Sequence, residues 1–350
     1  MPAPSSQQLE DYVNLGVRNA WYPVLPSYRI TESPIGITRL GANIVLWRDR
    51  DGKVNALEDR CPHRGARLSL GWNLGDRLAC WYHGIEINGS GCILDVPAVD
   101  GCPMKDERQV RAYPVLEANE AVFLWFGVDP AAAPAKLELP EQLSSPEWGQ
   151  MLCTAYWHCN YRYAIDNVMD PMHGSYLHAI SHSMAFGDKQ AQLRTRKTTT
   201  GLVFEKIDQQ NVNFDWVEWG ESGGYWMRLS IPYRKQYGPG GPFYIAGFAT
   251  PVDANNTMVY FWRCRKVESW QRDVWKFMYR NRLEGLHWDV LEQDRVLLEQ
   301  MAPAARDQEF LYQHDAGLVR IRRRLNELGR EQLAQAATLS ALSARSTLRS

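Results

Sequence analysis

The sequence predicts an α+β fold in two units: an N-terminal one of short strands and a C-terminal one that joins an antiparallel sheet to helices. Three observations carry this expectation. Short apolar runs broken by turn residues fill the chain from about residue 20 to 128. The proline- and alanine-rich stretch Asp129-Pro130-Ala131-Ala132-Ala133-Pro134-Ala135 then interrupts it. Beyond, residues 201–264 alternate apolar and polar with glycine breaks, and a helical period takes over from 269. With 350 residues the chain is long enough for two domains, expected at 1–130 (core about 20–128) and 131–350.

Taken in order, residues 43–48 and 53–57 flank Asp49-Arg50-Asp51-Gly52, a hairpin turn with glycine where positive φ is wanted. Residues 121–126 form an apolar strand that closes the first unit. Residues 161–177 read as mostly helical, bent or restarted at Pro171. One long helix is expected from 269 to about 301. The tail from 318 onward is helical and basic at first (Arg320, Arg322, Arg323, Arg324), then polar and expected to fray. There is no internal repeat.

At 45% hydrophobic, 23% charged and net charge −1, the composition gives no reason to expect nucleic acid or an anionic membrane as partner. No apolar run of ~18 residues could span a bilayer, and the first residues lack the pattern of a signal peptide. Seven cysteines spread over this length do not form a disulfide framework. The expected setting is the reducing cytoplasm.

Two clusters carry chemistry. The first is Cys61-Pro62-His63 followed, after sixteen residues, by Cys80-Trp81-Tyr82-His83. Such a set also suits structural zinc, but a Cys₂His₂ finger groups its cysteines together and its histidines together. Here each loop supplies one of each, which suits a Rieske [2Fe–2S] cluster with Cys61 and Cys80 on one iron and His63 and His83 on the other. Gly65 and Gly84 follow the histidines and are expected to let backbone amides approach the sulfides. A third loop, Gly89-Ser90-Gly91 to Pro97, is positioned to cover the cluster. Cys92, Cys102, Cys153, Cys159 and Cys264 read as ordinary small core residues.

With Cys61-Pro62-His63-Arg64-Gly65 and Tyr82-His83-Gly84, the chain resembles the Rieske non-haem iron oxygenases, specifically an α-only terminal oxygenase subunit, over nearly its whole length. It departs from their pattern at Trp81, where proline is common, and at Ile85, where tryptophan is common; neither position supplies a ligand. The resemblance implies a C-terminal domain of the helix-grip (START/Bet v1-like) kind.

The second cluster is Asn167, Asp170, His173 and His178, the latter three fitting the family's D-x-x-H-x₄-H pattern. Asn167 and Asp170 share a helix face at i, i+3 spacing. The resemblance makes His173 and His178 ligands of mononuclear Fe(II), and Asp170 the link between the two metal sites; Asp170 and Asn167 are expected to take part in catalysis. His158, His182, His287 and His314 read as solvated or core histidines. A 2-His-1-carboxylate site needs a third ligand. On the long helix, Asp294 has Val290, Leu291, Leu297 and Leu298 at i−4, i−3, i+3 and i+4, so it faces the core, where a buried charge needs a metal or a partner. The alternative for Asp294 is an ion pair with an arginine, while Asp289, Glu292 and Glu299 read as solvated positions. The family's late-helix ligand agrees with Asp294.

The resemblance further implies a terminal oxygenase using O₂ to hydroxylate a small aromatic compound. Electrons would arrive singly from an NAD(P)H-dependent reductase or a ferredoxin, and pass from His83 through Asp170 to His173 of a neighbouring chain in a head-to-tail homotrimer. O- or N-demethylation is the second reading, and a Rieske electron carrier with a binding domain is the rival from another class. Trp216, Trp219, Trp226, Tyr244, Phe248 and Trp262 either wall a substrate pocket or pack as plain core, the commoner role.

Overall fold

The computed structural model describes residues 4–181, 187–232, 242–302 and 305–347. Helix α1 (Ser6–Asn14) starts at Ser5, whose hydroxyl accepts from the Gln8 amide while the Gln8 side chain accepts from the Ser5 amide. Ten short strands follow: β1 (Ala20–Pro26), β2 (Ile35–Arg39), β3 (Ala42–Arg48), β4 (Val54–Glu58), β5 (Trp72–Asn73), β6 (Arg77–Ala79), β7 (Glu86–Asn88), β8 (Ile93–Asp95), β9 (Val115–Ala118) and β10 (Ala121–Phe126). They make three antiparallel sheets, β1-β10-β9, β2-β3-β4 and β5-β6-β7-β8. The β3–β4 turn forms as its sequence requires: the Asp49 carboxylate accepts from the Asp51 and Lys53 amides, and Gly52 has φ +79°.

Residues 127–140 form no helix or strand. They are pinned all the same, since the Trp21 indole donates to the Ala135 carbonyl and the Trp226 indole to that of Glu138. Next come α2 (Glu141–Ser144), β11 (Trp148–Trp157), α3 (Tyr161–Val168) and α4 (Gly174–Leu177). Then follow β12 (Leu193–Lys197), β13 (Gly201–Lys206), β14 (Trp216–Gly220), β15 (Trp226–Ile231), β16 (Phe243–Pro251) and β17 (Thr257–Lys266). These strands form one seven-stranded antiparallel sheet in the order β11-β17-β16-β15-β14-β13-β12. Helix α5 (Trp270–Met278) runs through a π turn (Tyr279–Leu283) into α6 (Glu284–Glu299), realising the long helix expected there, and α7 (Ala316–Thr347) ends the described chain.

Both faces of the large sheet are covered. One packs on helices through Met227, Leu229, Phe243 and Phe261; the other packs Trp226, Phe248 and Trp262 against Trp21, Phe123 and Trp125 of the first unit. Helix α7 crosses α1 so closely that a Cβ on Gly329 would meet Val13 Cγ2 at 2.8 Å. One expectation about the tail needs correction: the helix continues to Thr347 instead of fraying. Arg322 pairs with Asp166 and Glu309, and Arg324 with Glu221.

Candidate metal centres and active site

The two Cys-His loops are built alike. After β4, the Cys61 amide donates to the Ala66 carbonyl (2.8 Å) and the Gly65 amide to the Cys61 carbonyl (2.9 Å). Between β6 and β7, the Cys80 amide donates to the Ile85 carbonyl (2.9 Å) and the Gly84 amide to the Cys80 carbonyl (2.8 Å). Each turn needs left-handed backbone at its glycine, where φ is +75° at Gly65 and +72° at Gly84. The glycine amides thus close the loops. The amides that reach Cys61 sulfur belong to His63 and Arg64.

Both cysteines are buried on a floor of Val45, Trp47, Leu57, Leu78 and Ile87, whereas His63 and His83 are exposed, their Nδ1 atoms 3.2 Å apart. Burial pushes the Cys61 thiol up to about 11; the His63 amide opposes this, and the adjacent Cys80 thiol reinforces it. Metal binding takes cysteine as thiolate, so a cation bound here displaces the Cys61 proton. Two buried sulfurs with two facing imidazole nitrogens at the surface fit a [2Fe–2S] cluster. From the third loop, Pro97 Cγ lies 3.5 Å from where a Gly84 Cβ would be. Of the other cysteines, Cys153, Cys159 and Cys264 are core, while Cys92 and Cys102 are only half-buried.

The second centre grows from the end of α3. This helix stops at Val168, and Asp170 precedes Pro171, a place where helical backbone is disfavoured. Asp170 folds back: its carboxylate accepts from the Met172 amide (2.7 Å) and its carbonyl from His173 Nδ1 (2.7 Å). His173 and His178 bracket the single turn α4, their ring centroids 5.1 Å apart. His178 is wholly buried and gripped on both edges by neighbours on α6, Nδ1 donating to Gln293 Oε1 (2.8 Å) and Nε2 lying 3.2 Å from Asp294 Oδ1. His173 Nε2 is 3.8 Å from the same oxygen.

Donor atoms of His173, His178 and Asp294 all lie within 4.8 Å of one another. Because an oxygen holds each Nδ1 proton, each Nε2 keeps its lone pair for the shared centre. Among the described residues, His178 Nε2 and Asp294 Oδ1 are buried without a hydrogen-bond partner. Burial disfavours the His178 imidazolium, but the Asp294 carboxylate and Gln293 more than offset this, so the group's pKa is raised. The centre attracts positive charge, and this donor set fits mononuclear Fe(II). Among the described residues no arginine pairs with Asp294. Asp289 and Glu292 are exposed, but Glu299 is not solvated as its sequence position implied: it accepts from the His158 amide and pairs with Arg295.

The triad forms part of the wall of a mainly apolar cavity between α3, α6 and strands β15 to β17, with Asn167 beside it. Its aromatic wall is Phe214, Phe243 and Phe261; none of the six Trp, Tyr and Phe candidates from the sequence lines it. Phe214 sits 4.6 Å from His173, and a Cβ on Gly174 would meet its ring at 2.5 Å, so glycine is required there. Sequence reasoning missed Phe214, Gln293, Arg263 and the cavity role of His287, whose Nδ1 lies 3.0 Å from the Tyr279 hydroxyl. His158 is exposed, and His182 lies outside the described residues.

Comparison with known proteins places this geometry. Residues 20–114 match the family model of the Rieske [2Fe-2S] domain, and residues 157–331 that of the vanillate O-demethylase oxygenase C-terminal domain. The chain is 37% identical over 166 residues to the vanillate O-demethylase oxygenase subunit of Pseudomonas sp. (strain HR199 / DSM 7063), covering 47% of this chain and 46% of that protein. It is 37% identical over 170 residues to the dicamba O-demethylase oxygenase component of Stenotrophomonas maltophilia, covering 46% and 48%. The matched segments thus span about half the length of these curated relatives. In fold it is similar to dicamba monooxygenase bound to dicamba, with TM-score 0.73 and 24% identity over 91% of this chain and 98% of that one. It is likewise similar to the oxygenase in the reduced oxygenase–ferredoxin complex of carbazole 1,9a-dioxygenase, with TM-score 0.73 and 21% identity over 91% and 93%. Two family models in this order, the second spanning half of the chain, settle the kinship: the chain belongs to the Rieske non-haem iron oxygenases, whose cofactors are a [2Fe–2S] cluster and a mononuclear iron.

Proposed function

We propose that this chain is the terminal oxygenase component of a multicomponent system that hydroxylates a small aromatic compound with O₂. Its electrons would come from a separate NAD(P)H-dependent reductase, directly or through a ferredoxin. One observation carries the reading: the His173, His178 and Asp294 donors open on a phenylalanine-walled cavity in a chain that also bears two matched Cys-His loops. In it, Cys61, Cys80, His63 and His83 would hold the cluster, and His173, His178 and Asp294 the iron. When bound, the cluster supplies single electrons and the iron supplies oxygen chemistry.

The remaining roles belong to groups of the chain itself. The Asp170 carbonyl and the Gln293 amide oxygen fix the two histidine tautomers. Phe214, Phe243 and Phe261 exclude water and orient an aromatic ring. In balance, one oxygen atom enters the substrate, and the other leaves as water with two electrons and two protons. At a ring carbon this gives a phenol; at an O-methyl carbon it gives a hemiacetal that loses formaldehyde. Kinship of residues 157–331 with vanillate O-demethylase favours the second outcome.

Exposed Trp81 and Tyr82 flank His83, and exposed Tyr176 and Tyr312 lie near Asp170. These two apolar rims support a head-to-tail homotrimer in which His83 of one copy meets Asp170 of the next. The cytoplasm is the proposed location, a compartment in which the seven free cysteines stay reduced.

The test is iron content together with oxygen uptake. Reconstituted protein should hold the cluster's two irons plus a third per chain, and consume O₂ with methoxylated aromatic compounds when given NADH and a surrogate reductase. Protein with the cluster alone and no substrate-dependent uptake would instead be an electron carrier. For the trimer, Cys80→Ser and His173→Ala chains, each inactive alone, should regain partial activity in mixed assemblies.

A further inference from the structure

We propose that Arg263 anchors an anionic substituent, a carboxylate or sulfonate, on the aromatic substrate; this rests on the oxygenase reading above and specifies its substrate class. Arg263 lies on β17, opposite Met151 of β11 and Ile245 of β16, and turns toward the helices into the cavity that the metal donors share. It is 2% exposed, and its Nη1 is buried with no hydrogen-bond partner among the described residues. Among the described residues no carboxylate forms an ion pair with it. Glu284 and Glu120 are within electrostatic range of the Cys153 thiol that it meets, yet neither pairs with Arg263. That thiol is held neutral, since burial pushes its pKa up, and so supplies no countercharge.

A guanidinium cannot shed its proton inside a protein, and burying one without an anion is costly. The rings of Tyr279 and Trp288, with centroids 5.9 and 5.4 Å from the guanidinium carbon, offset part of that cost and hold the group still. They leave the N–H bonds of Nη1 unmet. Asn167 adds a second buried donor, Nδ2, that also lacks a partner in the same cavity. Apart from the triad's own carboxylate, the cavity therefore offers unmet donors and an unpaired positive charge, and the ligand that answers them brings anionic acceptors.

Position agrees with this. On α6, Trp288 precedes Asp294 by six residues, which is about 9 Å along the helix axis. An anion held at Arg263 therefore leaves the ring against the phenylalanines and its far edge toward the triad. A neutral arene fits the same walls but leaves the guanidinium bare, a mismatch that discriminates strongly.

Titration calorimetry on the anaerobic, metal-loaded protein tests this without turnover. The probes are 4-methoxybenzoate, toluene-4-sulfonate and 4-methoxybenzamide, the last matching the benzoate in shape without its charge. Wild type should bind both anions at least about tenfold more tightly than the amide. Arg263→Gln should erase that preference while leaving amide affinity within about threefold. Arg263→Lys, which keeps the charge but loses the fork, should retain part of it. Cluster absorption and melting temperature report whether each variant is folded; if Arg263→Gln is not, wild type and Arg263→Lys decide. Wild type that binds the amide as tightly as the acids, or binds neither acid, overturns the proposal, as does a folded Arg263→Gln that keeps the preference. A charge preference in protein that never consumes O₂ sinks the oxygenase reading alone; turnover without the preference sinks only the anion site.

Discussion

Replacing Gln293 with leucine should loosen the mononuclear centre without touching any of its three donors. His178 is wholly buried, and its Nδ1–H donates to Gln293 Oε1 at 2.8 Å. Leucine fills a similar volume but accepts nothing. The imidazole then has two choices: keep the proton on Nδ1 as an unmet buried donor, at about 1–3 kcal/mol, or move it to Nε2 and lose the lone pair that faces Asp294. Metal binding requires the first, so that cost is taken from affinity. At about 1.4 kcal/mol per tenfold, the loss is roughly 5- to 150-fold, in line with the 10–100-fold typical of such outer partners. The assay is anaerobic titration of iron-free protein with Co(II) or Fe(II) against a coloured chelator, with cluster absorption as the measure of intact fold. Gln293→Glu keeps an acceptor and should keep affinity near wild type. Should folded Gln293→Leu bind metal within about twofold of wild type, the tautomer argument is wrong and His178 is oriented by packing alone.

Three further outcomes follow from the same geometry. Asp294→Ala should keep the cluster's colour but lose the third iron and all oxygen uptake, since two histidines remain as the only protein donors; iron retained in this variant would move the carboxylate ligand elsewhere. His83→Cys should shift the visible spectrum and lower the cluster's reduction potential, because thiolate favours ferric iron more than neutral imidazole does, and an unchanged potential would remove His83 from the cluster. Glu10, hydrogen-bonded to Arg162 and held below its usual pKa by that contact, contributes stability that is present above the unfolded value of about 4.3 and lost as pH falls through the depressed folded one. Because Glu10 is half exposed, Glu10→Gln should cost less than about 1 kcal/mol at neutral pH, and its melting temperature should converge with wild type in acid; a gap that persists in acid would mean the charge was not responsible.

What the sequence made legible had strong local causes. The turn at Asp49 to Gly52 is written in an Asx acceptor and a positive-φ glycine, and the Cys-His loops in cysteines each followed four residues later by glycine. The long helix kept its period through a π turn that no residue pattern announces. The cavity wall was misread because both faces of the large sheet are buried. Strand β17 is buried from Val259 to Arg265 without a break, so alternation there does not separate the helix-facing set from the set facing the first unit. Four of the six aromatic residues chosen from the sequence, Trp226, Tyr244, Phe248 and Trp262, share the parity that meets Trp21 and Trp125. The cavity took the other parity, with Phe243, Phe261 and Arg263.

Asp294 stood out for a reason only partly present in the fold. Of its expected apolar neighbours Leu298 is buried and Val290 and Leu291 are half-buried, but Leu297 is 47% exposed. What carries through is the carboxylate itself, turned inward on a helix with no arginine among the described residues to meet it. Arg263 presents the same anomaly with the opposite sign. Two opposite charges line one cavity, and they would stabilise each other if the fold let them touch; yet among the described residues Asp294 meets only histidines, and Arg263 meets rings and a neutral thiol. Folding energy alone would pair or delete them. That they are kept apart in a shared space is best explained if each is reserved for something that enters it, a cation at one end and an anion at the other.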